Sequence, residues 1–224
     1  MVRRLFLILT ILFQPVIGWA DQRVLVLGDS NTWGSNASGP RHGDVVRWGR
    51  VVDAALPTVV VIEEGRIGRR SDLNFEYPVN PKTDPLPELV RRHLPLDLVV
   101  VMLGTNDLQS GLNRTPQQVA ASAVSLGQLI QEAQINVLLV VPPPLHHPED
   151  GALGHLFNTR SAVLSRQLAP AYRAAAQRAN LSVFDAGQVS VADGRDGVHL
   201  TAGTHRRLGV AIAHRVETLL AQGK

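Results

Sequence analysis

Five short apolar runs alternate with longer stretches in which apolar residues recur every three or four positions. The runs are "RVLVL" (23–27), "TVVVIE" (58–63), "DLVVVML" (97–103), "NVLLVV" (136–141) and "LSVFD" (181–185). Their nearly unbroken, β-branched character predicts parallel strands buried on both faces. Between them, "DVVRWGRVVDAAL" (44–56) has the period of a helix. "TPQQVAASAVSLGQLIQEA" (115–133) opens with Thr-Pro at cap and first-turn positions and sets Val119, Ala123, Leu126 and Ile130 on one face. "SAVLSRQLAPAYRAAAQRA" (161–179) is helical with a break or kink expected at Pro170. A last helix begins after Thr201, with Leu208, Ile212, Val216 and Leu219 facing inward. Strand-helix alternation of this kind predicts an α/β fold, a three-layer α/β/α sandwich around a five-stranded parallel sheet.

The first twenty residues do not fit that alternation. "MVRRLFLILTILFQPVIGWA" places two arginines before an apolar stretch and closes on Gly18-Trp19-Ala20. This order predicts a secretory signal peptide over residues 1–20, cleaved near Ala20, with residues 21–224 as one domain. The stretch from Leu5 to Phe13 is too short to span a bilayer, and Gln14-Pro15 interrupt it. "RRLFL" also resembles a twin-arginine signal, which leaves the export route open. The expected location is therefore periplasmic or secreted, without a stable membrane anchor.

Export changes the charge picture. Losing Arg3 and Arg4 leaves 20 basic against 19 acidic side chains, a net charge near +1. No basic stripe with interleaved aromatics supports a nucleic-acid partner, and the pairs Arg69-Arg70, Arg91-Arg92 and Arg206-Arg207 read as solvated faces. Cysteine is absent, so an exported chain must be held by its core alone.

In a parallel α/β sheet, chemistry gathers at the carboxyl ends of the strands and at the switch point in strand order. Four polar, glycine-containing segments fall there: "GDSNTWG" (28–34), "EEGRIGRRSD" (63–72), "GTNDL" (104–108) and "DGRDGVHLTAG" (193–203). Covalent ester hydrolysis needs a nucleophile, a base, a group to orient the base and donors for the oxyanion. Ser30 is the candidate nucleophile, His199 the base and Asp196 the orienting carboxylate, with Asp193 and Asp185 as more distant alternatives. The amides of Ser30 and Gly68 and the side chain of Asn106 are candidate oxyanion donors. Singly, each has a plain structural reading: a helix cap for Ser30, a loop residue for His199, a turn for "GTND" and a relaxed loop for Gly68. Asp29 and Asp107 read as turn-holding residues. "HHPED" (146–150) lacks the spacing of a metal site, and neither a dinucleotide fingerprint nor a P-loop is present, so no metal or cofactor is expected. Trp33, Phe75 and Phe157 are candidates to line an acyl pocket.

In order, "GDSNTWG", "GRIG", "GTND" and "DGVHL" resemble the four motif blocks of the SGNH (GDSL-type) hydrolase superfamily, over a match from about residue 24 onward. "IEEG", "HLPLDLVVVMLGTND", "RTP", "VPPPL" and "FDAG" look most like its arylesterase/acyltransferase branch. The resemblance implies a flavodoxin-like strand order 2-1-3-4-5, a Ser30–Asp196–His199 triad, and an oxyanion hole of Ser30, Gly68 and Asn106. One position departs: the Leu of "GDSL" is Asn31 here, which bears on the pocket floor or its hydrogen bonding. The expected function is a serine esterase for small acyl (aryl or acetyl) esters acting through an acyl-enzyme, with transfer to alcohols. The alternatives are an envelope carbohydrate O-acetylesterase and a non-catalytic binding module on the same scaffold. The expected partners are a small ester and water or an alcohol, and the resemblance implies a homo-oligomer.

Overall fold

The computed structural model describes residues 21–72 and 86–222. The predicted leader, residues 1–20, and Phe75 lie outside them. Five strands form one parallel sheet: β1 (Gln22–Gly28), β2 (Val59–Gly65), β3 (Leu98–Met102), β4 (Asn136–Val141) and β5 (Ser182–Asp185). Their order is β2-β1-β3-β4-β5. The chain leaves β1 outward to β2 and returns on the other side to β3, so the switch point lies between β1 and β3. The register sets Gly28 beside both Gly65 and Met102, bringing three strand ends level.

Among the described residues, seven α-helices surround the sheet: α1 (Ser30–Trp33), α2 (Trp48–Ala55), α3 (Leu86–Arg92), α4 (Pro116–Gln131), α5 (Thr159–Ser165), α6 (Leu168–Arg178) and α7 (Ala202–Gln222). Alternate strand residues feed two cores, because successive side chains on a strand point to opposite faces. Leu25, Leu27, Val99, Val101 and Leu139 pack with Val119, Leu126 and Ile130 of α4 and Tyr172 of α6. Val24, Val26, Val100, Leu138 and Val140 pack with Trp48 of α2 and Leu208, Ile212 and Val216 of α7. Leu219 is only partly buried, and Leu220 supplies the last inward contact.

Differences from the sequence reading have local causes. The predicted helix 161–179 is two helices, α5 and α6, separated at Arg166–Gln167. Pro170 lacks an N–H and its ring opposes the carbonyl four residues earlier, that of Arg166, so the break falls one turn before the proline. α2 starts at Trp48, four residues later than the pattern suggested. α3 is short and was not predicted. The pair Arg69-Arg70 is buried, at 1% and 9% exposure. The expectation of a solvated face is wrong there, because both guanidinium groups are held by hydrogen bonds inside the fold.

Candidate active site

α1 is a single turn fixed at both ends. Asp29 caps it by accepting from the Asn31 N–H at 2.9 Å, and Gly34 ends it in the left-handed region. Ser30 is therefore the first residue of a short helix at the end of β1, with its hydroxyl facing the rim of the sheet. The Ser30 N–H has no protein acceptor among the described residues. Asp29 is buried, and burial pushes its carboxyl up to about 6 against the pull of the Asn31 N–H.

His199 reaches Ser30 from 169 residues away in sequence. Its Nε2 lies 3.1 Å from Ser30 Oγ, and its Nδ1 lies 2.6 Å from Asp196 Oδ2. The other oxygen, Oδ1, accepts the backbone N–H groups of Val198 (3.0 Å) and His199 (2.9 Å). Burial would raise the Asp196 carboxyl, but the His199 side-chain and backbone bonds outweigh it and hold the group at about 2. Asp196 is thus ionised at neutral pH and fixes the imidazole with Nδ1 protonated and Nε2 directed at the serine.

The alternatives to Asp196 are engaged elsewhere. Asp193 accepts from the Thr201 N–H and from the hydroxyls of Thr201 and Thr204, at the start of α7. Asp185 takes an ion pair from Arg173 at 2.6 Å and the Gly187 N–H. Neither faces His199.

The loop carrying Asp196 and His199 depends on Gly197. Its φ is +67°, and a Cβ there would stand 2.2 Å from the His146 carbonyl. The His146 N–H in turn donates to the Gly197 carbonyl at 3.0 Å. The "HHPED" segment is therefore a buttress for the histidine loop. Among the described residues no group of three or more metal-ligating side chains assembles.

The remaining donors converge from β2 and β3. Gly68 has φ +79°, which an L side chain rarely adopts, and its N–H has no protein acceptor among the described residues. Asn106 begins a 3₁₀ turn after β3. Its Nδ2 donates to the Arg69 carbonyl at 3.1 Å, while Asp29 Oδ2 lies at a weak 3.5 Å. Its Oδ1 accepts from Gln109 at 3.3 Å. Asn106 is thus oriented on both atoms, with one N–H only loosely engaged.

Two residues that the sequence reading treated as surface or turn secure this rim. Arg69 donates through Nη1 to the Gly28 carbonyl at 2.8 Å and to the Glu64 carbonyl, tying the ends of β1 and β2. Asp107 is fully buried and accepts from the N–H and hydroxyl of Ser71, at 2.9 and 2.6 Å, and from Arg114. Asn31 donates through Nδ2 to the Val198 carbonyl at 3.1 Å. It does not line the cleft, so its departure from leucine acts on hydrogen bonding and not on the pocket floor.

These groups open into one cleft of about 540 Å³. Ser30, Gly68, Asn106 and His199 share its wall with Trp33, Ile67, Leu153, Leu156 and Phe157. Trp33 and Phe157 accordingly stand where the sequence reading set them.

Residues 26–207 match the model of the GDSL-like lipase/acylhydrolase family. A carbohydrate acetylesterase from Sinorhizobium meliloti is 35% identical, with a TM-score of 0.81 over 88% of this chain and 99% of that one. The aryl esterase of M. smegmatis is also 35% identical, with a TM-score of 0.80 over the same shares. A carbohydrate acetylesterase family member from Sinorhizobium meliloti is 32% identical, with a TM-score of 0.82 over 89% and 99%. No curated protein matches the chain. Sequence match, strand order and neighbours agree, and they set aside the binding-module alternative: this chain belongs to the GDSL-like lipase/acylhydrolase family and is an SGNH-type serine ester hydrolase.

Proposed function

We propose that the chain cleaves small acyl esters, aryl and acetyl esters above all, through an acyl-enzyme on Ser30, and passes the acyl group to alcohols as well as water. The observation that carries this reading is the unbroken contact from Ser30 Oγ through the His199 ring to Asp196, at 3.1 and 2.6 Å. Ser30 Oγ attacks the ester carbonyl while His199 Nε2 takes its proton, and Asp196 stabilises the imidazolium that results. The carbonyl oxygen becomes negative and accepts from the amides of Ser30 and Gly68 and from Asn106 Nδ2. The intermediate collapses as His199 returns the proton to the departing oxygen. Water or an alcohol then gives its proton to Nε2 and attacks the acyl carbon, releasing acid or a new ester and restoring Ser30.

The apolar wall of Trp33, Ile67, Leu153 and Leu156 supports the transfer branch by seating the carbon part of an alcohol, while Ser35, Asn36 and Arg41 at the open mouth admit water and keep hydrolysis in competition. With an acyl donor in water and rising primary alcohol, chromatography should find product divided between acid and new ester. Acid alone at high alcohol would reduce the enzyme to a plain esterase. Ser30→Ala should lower turnover of an aryl acetate by roughly 10³-fold or more, and full activity in that variant would overturn the nucleophile assignment.

The Sinorhizobium neighbours support a second reading, a carbohydrate O-acetylesterase of the envelope. It uses the same residues, so a panel of acetylated sugars against aryl acetates separates the two. Export, with cleavage near Ala20, belongs to the same proposal. Amino-terminal sequencing of the mature protein tests it, with Asp21 as the expected first residue.

A further inference from the structure

The cleft carries one feature that ester cleavage itself does not use. Arg41 lines its mouth, and besides His199 it is the cleft's one basic side chain among the described residues. Its guanidinium lies over the Trp33 ring, 4.7 Å from the centroid, and its Nε donates to the Trp33 carbonyl at 2.6 Å. Trp33 is on the same single-turn helix as Ser30, so the cation is anchored at a set place relative to the nucleophile. The loop that brings it there is closed as well. The His42 N–H donates to the Gly34 carbonyl at 2.8 Å, and the His42 ring bonds the Leu200 carbonyl at 3.1 Å.

Arginines elsewhere on the fold are paired with the protein's own carboxylates. Arg47 pairs with Asp44 and Glu63, Arg50 with Asp53 and Glu63, and Arg114 with Asp72 and Asp107. Arg41 has no carboxylate partner among the described residues. Among the described residues the one acid on the cleft wall, Asp196, is already engaged by His199 and two backbone N–H groups. Stacking uses the face of the guanidinium and the Trp33 carbonyl uses Nε, which leaves the two Nη groups as a planar fork for a bidentate acceptor.

We propose that Arg41, seated on Trp33, is a carboxylate subsite of this cleft, and that the enzyme prefers acyl esters whose alcohol or phenol part bears a carboxylate. This rests on the esterase reading above. The cation is exposed at the open mouth, so it meets the part of the substrate that stays in contact with water, the departing alcohol. On the carbohydrate reading the same subsite selects acetylated sugar acids over neutral sugars.

The test compares two acetates of similar shape, 4-acetoxybenzoate and 4-acetoxybenzamide, on wild type, Arg41→Gln and Arg41→Lys. The readout is the ratio of kcat/KM for the anionic over the neutral ester. In Arg41→Gln this ratio should fall on the order of tenfold, mostly through KM, because the charge is present equally in ground and transition states. Arg41→Lys should keep part of the preference without the fork, and added salt should erode the wild-type ratio. As a second measurement, 4-hydroxybenzoate should inhibit the wild type more strongly than 4-hydroxybenzamide, with the difference lost in Arg41→Gln. A ratio unchanged by Arg41→Gln and untouched by salt overturns the subsite, while turnover of the neutral ester shows that the esterase reading stands. A wild type that cleaves neither ester overturns the esterase reading and the subsite with it.

Discussion

The contact of Ser30 with His199 is supported by groups outside the proposed chemistry as well as by Asp196. Asp29 and Gly34 fix the length of α1, and Asn31 ties that turn to the Val198 carbonyl, one residue before the histidine. Asn106 is held through the Arg69 carbonyl and Gln109. In the proposed mechanism its amide serves charge that develops only in the transition state, so Asn106→Ala should lower kcat by roughly 10²- to 10³-fold with a smaller change in KM. An effect confined to KM, read from steady-state kinetics on an aryl acetate, would recast the residue as a substrate contact. The two nearby aspartates should separate cleanly. Asp196→Asn removes the charge that stabilises the imidazolium and should cut kcat severely, whereas Asp193→Asn should weaken the start of α7 and leave kcat near wild type. Residue types were readable from the sequence, and so was Asp196 as the carboxylate beside His199, but the groups that hold Asn31, Arg69 and Asn106 were not. Serine, histidine and asparagine announce donors and bases; Asp196 stands out by its nearness to His199, and the turn at Gly197 is what brings it to Nδ1.

At the scale of elements, the packing of α2 on α7 carries a pH response. His205 of α7 is fully buried, with Nδ1 accepting from the Trp48 N–H at 3.4 Å and the His42 ring edge-on 4.9 Å away. Burial, helped by the His42 charge, pushes its pKa down to about 3. The folded state thus binds fewer protons there than the unfolded chain, and this contribution is present above the ordinary imidazole value of 6.5 and lost as pH falls toward 3. Asp29 acts with the opposite sign. Its pKa is raised from 3.8 to about 6, so its contribution is present below 3.8 and lost as pH rises through 6. His205→Gln removes one slope and leaves the other. Urea denaturation from neutral pH down to about pH 4 should show this variant gaining stability relative to its parent. Parallel curves would mean that His205 takes up its proton as readily in the fold as in the unfolded chain. Helix and strand periods were visible in the sequence because they are local, whereas the break between α5 and α6 fell a turn earlier than Pro170 because the proline acts on the preceding carbonyl.

For the whole molecule, Arg69 joins the sheet to the site. It bonds the carbonyls at the ends of β1 and β2 while its own carbonyl receives Asn106. Arg69→Met should cost about 2–4 kcal/mol, since two carbonyls lose a charged donor in a dry place. Urea unfolding measures the loss, and kcat should fall with it as Asn106 loses its anchor. A variant as stable as the parent would show that water replaces the guanidinium.

The sequence by itself determined the strands, the principal helices, the sharp turn that presents Ser30 and the set of four segments at the strand ends. Each is written in neighbouring residues: an apolar period, a cap, a glycine after a strand. Asp196, three residues before His199, was legible too as its orienting carboxylate. The tertiary structure alone decided that Arg69 and Arg70 are interior, that Asn31 reaches Val198, and that Arg41 stands at the mouth of the cleft. Those outcomes turn on contacts between segments far apart in the chain, such as the 167 residues from Asn31 to Val198. A residue's chemistry is fixed by its type, but its partner is fixed by which surfaces the buried sheet brings together.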